Sequence, residues 1–306
     1  MSILSLRNVS RRFGGGEALI GIDLEIDRPQ VIGLVGRNGA GKSTLLRLLP
    51  PFIHASSGSV EVLGMDPWAD PIALRGRMGY VADQDVVPTG VRGRDLLALC
   101  AAVYPRWDTT LIQTFQRRLG IDPNQLFSSL SRGQQRQLAL LMAIGHRPEL
   151  LLLDEPAGNL DPAVRKEVLG IIIELLNESG TTVILATHLL SDLERLAERL
   201  VILSHGRKVH DGSIEDMTRD LCRIELAPGI IDLGGLAHSQ LLLAQERHGL
   251  ATVLILACAP GDAGAVVAGL AGPGAVVLDA KGMTFEEAFI YRTRDLPAVT
   301  TAAARL

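Results

Sequence analysis

Four stretches of the chain are apolar at nearly every consecutive position: VIGLV (31–35), MGYVA (78–82), LLLLD (150–154) and TVILAT (182–187). A strand with one wet face alternates apolar and polar residues, whereas a short continuous run reads as a strand buried on both faces. Segments with helical character separate these runs. The pattern therefore predicts an α/β fold built on a mostly parallel sheet covered by helices. Ahead of the first run, residues 5–26 alternate apolar and polar positions, as half-exposed antiparallel strands do.

The helix boundaries are also legible. Asp161-Pro162 puts a capping carboxylate before a proline at the first helical position, and Gly180 ends the apolar repeat that follows. Ser131 with Gln134 forms a capping box for a leucine-rich helix. SDLERLAERL (191–200) predicts another helix, capped by Ser191 with Glu194 in the reciprocal position. Between residues 86 and 130 the repeats of GRDLLALCAAVYPRW and TTLIQTFQRRLGI are helical.

The composition changes near residue 214, beyond which Gly, Ala and Leu dominate. RIELAP, ATVLILACA and AVVLDA read there as strands, and MTFEEAFIYR reads as a final helix capped by Thr284 and Glu287. We expect residues 1–213 to form the main domain and residues 214–306 a small α+β appendage, with a disordered tail at AVTTAAARL.

Composition narrows the picture little. Aromatic residues make up 4% of the chain, so aliphatic side chains must fill the core. A net charge of −4 argues against nucleic acid as the main partner. Cys100, Cys222 and Cys258 are far apart, odd in number and set among apolar residues, so they read as buried small hydrophobes in a reducing compartment. The N-terminus carries Arg7, Arg11 and Arg12 without an apolar core, unlike a signal peptide. The longest charge-free run of the C-terminal half, 263–278, is interrupted by glycine and proline and falls short of the roughly 18 residues a span needs. We expect no membrane crossing.

Two stretches carry chemistry. GLVGRNGAGKSTLL (33–46) follows a buried strand and opens a helix. Gly36, Gly39 and Gly41 let backbone N–H groups turn inward around phosphate oxygens, and the helix start adds partial positive charge. Lys42 supplies a point charge for the outer phosphates, and the Ser43 hydroxyl suits Mg²⁺. The second stretch is LLLLDEPAGNLD (150–161). Asp154 ends a buried strand, where open parallel sheets meet their ligands, and Glu155 can polarise an attacking water.

Taken together, GRNGAGKST, LSRGQ, LLLLDEP, NLDP and ATH resemble the ATP-binding cassette (ABC) ATPases over about residues 3–213. The resemblance implies a P-loop NTPase fold with an antiparallel N-terminal β-subdomain and a helical signature subdomain at about 86–147. It implies that Gly36, Asn38, Gly39, Gly41, Lys42, Ser43 and Thr44 bind ATP, with Mg²⁺ held by Ser43, Asp154 and Gln84. Glu155 and His188 would be catalytic, and Phe13 would stack on adenine. Ser131, Gly133, Gln134 and Asp161 would complete the ATP site of a second copy, or of a homologous cassette, so that two cassettes enclose two nucleotides. The partners implied are that second cassette and separate integral-membrane transport subunits, at the cytoplasmic face of a bacterial inner membrane. Arg132 stands where LSGGQ has its first glycine; with the EEAF of MTFEEAFIYR it resembles exporter cassettes, including those for drugs, lantibiotics and polysaccharides.

Two other readings stand beside export. Soluble cassettes acting on DNA or ribosomes tend to carry two cassettes or a long inserted coiled coil, whereas this chain has one phosphate loop and no sustained heptads between Gln84 and Leu130. A regulatory subunit with weak turnover is the other. Intact Lys42, Asp154, Glu155 and His188 speak against it.

Overall fold

The computed structural model describes residues 2–83, 87, 90–158, 160–227, 239, 241–248, 251–270 and 275–293. The chain divides into two compact units, Met1–Asp211 and Gly212–Leu306.

The first unit begins with β1 (Leu4–Phe13), β2 (Gly16–Ile26), β3 (Val31–Val35), α1 (Lys42–Leu48), β4 (Ser57–Val62), α2 (Pro71–Arg75) and β5 (Met78–Val81). Then come α3 (Gly93–Val103), α4 (Thr109–Arg118), α5 (Arg132–Ile144), β6 (Leu150–Asp154), α6 (Pro162–Ser179), β7 (Thr182–Ala186), α7 (Leu190–Leu196), β8 (Arg199–Ser204) and β9 (Arg207–Gly212). Two sheets result. One is antiparallel, in the order β2-β1-β4. The other has the order β5-β6-β7-β3-β8-β9 and is parallel from β5 through β8. The turn from β8 to β9 is two residues, His205 and Gly206, both at positive φ as a tight hairpin demands. Leu45, Leu46, Leu48 and Leu49 of the α1 segment share one core cluster with strand residues of both sheets, such as Leu6, Ile22, Ile32, Leu152 and Val201. Each such leucine contributes about 1.5–3 kcal/mol by leaving water.

The four continuous apolar runs are β3, β5, β6 and β7, which lie side by side. One expectation fails nearby. The predicted helix 191–200 ends at Leu196, and Arg199 begins β8. Leu200–Leu203 are fully buried alongside β3, and that pairing outweighs the helical propensity of the residues before it. Ser191 does not cap the helix either. Leu189 occupies that position, and the Ser191 hydroxyl accepts from Arg165 at 2.9 Å. Arg165 also bonds both carboxylate oxygens of buried Asp192.

The α3–α4 region is pinned to the sheet by an aromatic contact. His146 is 1% exposed and stacks on Tyr104 with ring centroids 4.1 Å apart. Its Nε2–H donates to the Met78 carbonyl at 2.9 Å, while among the described residues buried Nδ1 has no hydrogen-bond partner. Burial is the largest cause holding its pKa below the ordinary histidine value; Arg106 acts the same way and the Met78 bond opposes both. Above about pH 6.5 the imidazole is neutral in both states and its stabilising contacts are complete. As pH falls, the unfolded chain takes up a proton that the folded chain accepts only at lower pH, so stability drops by at most about 1.4 kcal/mol per pH unit. We expect urea unfolding of His146→Phe to lose this component of the acid dependence. A variant whose stability falls between pH 7 and 5 as steeply as that of the native chain would refute the assignment.

The second unit contains α8 (Ile214–Arg219), β10 (Cys222–Leu226), β11 (Leu242–His248), β12 (Ala251–Leu256), α9 (Ala263–Leu270), β13 (Val277–Gly282) and α10 (Phe285–Thr293). Its four strands pair antiparallel in the order β11-β12-β10-β13. Cys222, Ile224, Leu226, Leu254, Leu256, Ala263 and Val267 form its core. Thr284 and Glu287 make the reciprocal cap at the start of α10. α8, β11 and α9 have no counterpart in the sequence reading, and the tail AVTTAAARL lies outside the described residues.

Candidate functional site

The carboxyl ends of β3, β5, β6 and β7 gather the chemistry, as the topology of an open parallel sheet dictates. After β3 the chain forms a tight loop, Gly36–Gly41, before α1. Gly41 sits at φ 107°, and a Cβ there would lie 2.6 Å from the Ala18 carbonyl oxygen. A Cβ on Gly36 would lie 2.5 Å from the Leu203 carbonyl oxygen. Backbone on both flanks therefore excludes any side chain at these positions. The loop is also tied to the β8–β9 turn, where the Gly206 amide donates to the Ala40 carbonyl at 3.2 Å.

Lys42 is 8% exposed, and its Nζ donates to the Gly36 and Arg37 carbonyls at 2.7 and 3.3 Å. Burial lowers its pKa, while Glu155 and Asp154 pull it back up. The cleft beside it, about 230 Å³, is lined by Ala18, the loop from Asn38 through Thr44, Asp83, Asp154 and Glu155. A second cleft of about 360 Å³ shares Asn38, Gly39 and Ala40 and adds Arg37, Ser204 and His205.

Asp154 is 1% exposed, and burial raises its pKa most. The Ser43 hydroxyl opposes that shift, yet among the described residues Asp154 Oδ2 has no hydrogen-bond partner. A buried carboxylate oxygen left unpaired is costly unless something charged meets it. An oxygen-seeking divalent cation fits this pair of donors. Among the described residues no cluster of three or more His, Cys, Asp or Glu could hold a metal, so phosphate and water oxygens would have to complete its shell.

Glu155 adopts φ 52°, a left-handed conformation that costs about 1–2 kcal/mol. It is held by its amide to the Ala186 carbonyl at 2.8 Å and by its carbonyl, which accepts from Gly158 and from Arg136 at 3.2 Å. Its side chain meets His188, Nδ1 to Oε2, at 2.9 Å. The carboxylate is thus aimed by a histidine that follows the neighbouring strand.

Ser131, Gly133 and Gln134 begin α5, and none of them lines the cleft. Ser131 Oγ accepts from the Gln134 amide, and Gln134 Oε1 accepts from the Ser131 amide. Ser131 and Arg132 are exposed. Asp161 Oδ1 caps α6 by accepting from Ala163 and Val164, both at 3.1 Å. Leu160, just before it, packs beside Gly133. Phe13 is 47% exposed, and the Arg11 guanidinium lies 4.5 Å from its ring centre. Gln84 lies outside the described residues.

Two residues at this site were missed in the sequence. Asp83 lines the cleft. Arg136, on α5, donates to the Ala82, Asp83 and Glu155 carbonyls and pairs with the Asp83 carboxylate. It ties the ends of β5 and β6 to the helix that begins at the capping box. An arginine in a polar helix start carries no sequence signal for contacts made 19 and 54 residues away.

The ABC transporter family model matches residues 19–158, from β2 to just past Glu155. The chain is 31% identical to the daunorubicin/doxorubicin resistance ATP-binding protein of Streptomyces peucetius, over 76% of this chain and 72% of that protein. It is 32% identical to the phosphonates import ATP-binding protein of Rhizobium meliloti (strain 1021), over 71% and 84% of the two chains. The chain belongs to the ABC transporter family. Among solved structures, cbiO1 from Clostridium perfringens, described as part of the ABC transporter complex cbiONQ, aligns with a TM-score of 0.60 at 25% identity. That alignment covers 70% of this chain and 90% of cbiO1. As an ABC transporter ATPase the chain binds and hydrolyses ATP, in a P-loop NTPase fold. Among the described residues, no helix of this ABC subunit is long and apolar enough to cross a membrane.

Proposed function

We propose that this ATPase works as one of a pair, enclosing two MgATP between two cassettes and driving export through separate membrane subunits. The observation that supports this reading is that the capped start of α5, with Ser131 and Arg132 exposed, does not line the cleft formed by the glycine loop, Asp154 and Glu155. Gly36, Asn38, Gly39, Gly41, Lys42, Ser43 and Thr44 hold the triphosphate. Ser43 and Asp154, with Gln84, would hold Mg²⁺, which when bound offsets charge on the outer phosphates. Glu155 takes a proton from the attacking water, and His188 orients Glu155 and reaches toward the γ-phosphate. Phe13 stacks on adenine. Ser131, Gly133, Gln134 and Asp161 close the site of the opposite copy.

ATP favours the closed pair over the open one, so its binding and loss alternate the two states. Exposed apolar side chains support a docking surface for the membrane subunits: Leu99 and Val103 on α3, with Phe52, Trp68 and Ile72. The reading places the chain at the cytoplasmic face of a bacterial inner membrane. Relatives include a drug-resistance protein and an import protein. The direction of transport therefore rests on Arg132 and on the EEAF segment of α10.

Mixing two crippled chains tests the shared site. Lys42→Met breaks the phosphate loop, and Gly133→Asp breaks the α5 start. Each alone is expected to be inactive. In an equal mixture half the pairs are mixed and each has one intact site, so about a quarter of native ATPase activity returns. Silence of the mixture, with both variants folded and pairing, would show that each chain finishes its own site.

A further inference from the structure

The second unit holds two cysteines that play no part in ATP turnover. Cys222 and Cys258 lie 36 residues apart in sequence, yet their Sγ atoms are 3.4 Å apart. The strand register brings this about. Cys222, the first residue of β10, pairs with Leu256 of β12, and Cys258 follows two residues later. Both belong to the unit's apolar cluster with Ala263 and Val267 of α9. Cys222 is fully buried, whereas Cys258 is half-buried and sits in the bend between β12 and the 3-10 turn Pro260–Asp262.

We propose that Cys222 and Cys258 form a reversible dithiol–disulfide modification site, oxidised by small hydroperoxides, that ties the central strand of the second unit to the root of α9. A disulfide needs its sulfurs about 2.05 Å apart, so closure asks for a movement of little more than an ångström. Cys258 lies outside the regular strand and can make that movement.

The difference in exposure sets the order of events. An outside oxidant reaches Cys258 first. Its thiolate attacks the peroxide oxygen, the O–O bond breaks, hydroxide leaves, and Cys258 becomes a sulfenic acid. The Cys222 sulfur then attacks the Cys258 sulfur, and the sulfenic oxygen departs as water with the Cys222 proton. With hydrogen peroxide the balance is two thiols and one peroxide giving one disulfide and two waters. Two electrons pass from the sulfurs to the peroxide, and an external dithiol reverses the change by exchange. Burial and the neighbouring Cys258 push the Cys222 thiol up to about 12, which keeps it protonated until its partner has been activated. Cys100, buried and without a paired sulfur, is an internal control.

The experiment treats the reduced full-length chain with hydrogen peroxide, quenches it, unfolds it and alkylates the remaining thiols. The expected result is an intact mass lower by about 2 Da, alkylation surviving only at Cys100, a peptide linking Cys222 to Cys258, and full reversal by dithiothreitol. Loss of the Cys222–Cys258 pair should run at least about tenfold faster than loss of Cys100. In Cys258→Ser, a change at a half-buried position, the mass loss should vanish. Three results would overturn the proposal: Cys258 advancing to sulfinic acid while Cys222 stays alkylatable, links only between separate chains, or Cys100 reacting as fast as the pair. Peptide mapping of the native chain keeps the test decisive without any variant.

Discussion

Glu155→Gln is expected to slow ATP turnover on the order of 10²–10⁴-fold and to leave nucleotide binding intact, the range that a positioned general base contributes. The amide keeps the shape of the side chain and can still meet His188 across the 2.9 Å contact, but it cannot accept a proton from water. The strained backbone at φ 52° is fixed by the Ala186, Gly158 and Arg136 bonds, none of which involves the carboxylate, so the fold is unaffected. Bound ATP then persists, and the variant should accumulate as a pair of chains in excess MgATP, visible by size-exclusion chromatography with light scattering. Phosphate release measured alongside separates the two effects. Native turnover in the variant would remove Glu155 from the mechanism.

Lys42→Met is expected to lose nucleotide binding itself. Charge-assisted hydrogen bonds contribute about 1.5–3 kcal/mol each, so withdrawing the ammonium from two phosphates weakens ATP binding by about 10²-fold or more. The methionine fills the same buried channel. It leaves the Gly36 and Arg37 carbonyls without their shared donor, a modest cost for loop groups that lie against the cleft. Titration calorimetry with MgATP measures the loss, and circular dichroism checks that the helices remain. Undiminished affinity would move the phosphates away from this loop.

How far the chain could be read in advance depended on whether the deciding partners were local. β3, β5, β6 and β7 were legible because burial on both faces leaves an uninterrupted apolar run. The caps at Asp161, Ser131 and Thr284 were legible because each bond closes within three residues. Ser191 misled because its hydroxyl is taken by Arg165, 26 residues away. β8 was hidden behind a helix-forming stretch, and its identity depends on lying beside β3. At the site, glycine spacing announced the phosphate loop. Nothing local announced Arg136, whose partners come from the ends of two strands. The cysteines were read as isolated because only strand register brings two of them together.

The Gly36–Gly41 loop is wedged between its neighbours. Carbonyls from β2 and the end of β8 stand where methyl groups at Gly41 and Gly36 would go, so its shape is set before any guest arrives. A socket of this kind surrenders little freedom on filling, and it would grip a triphosphate tail alike whichever base is attached. Discrimination between purine and pyrimidine nucleotides would then fall to contacts with the base, for which the proposed platform is Phe13, half in water with Arg11 over its ring.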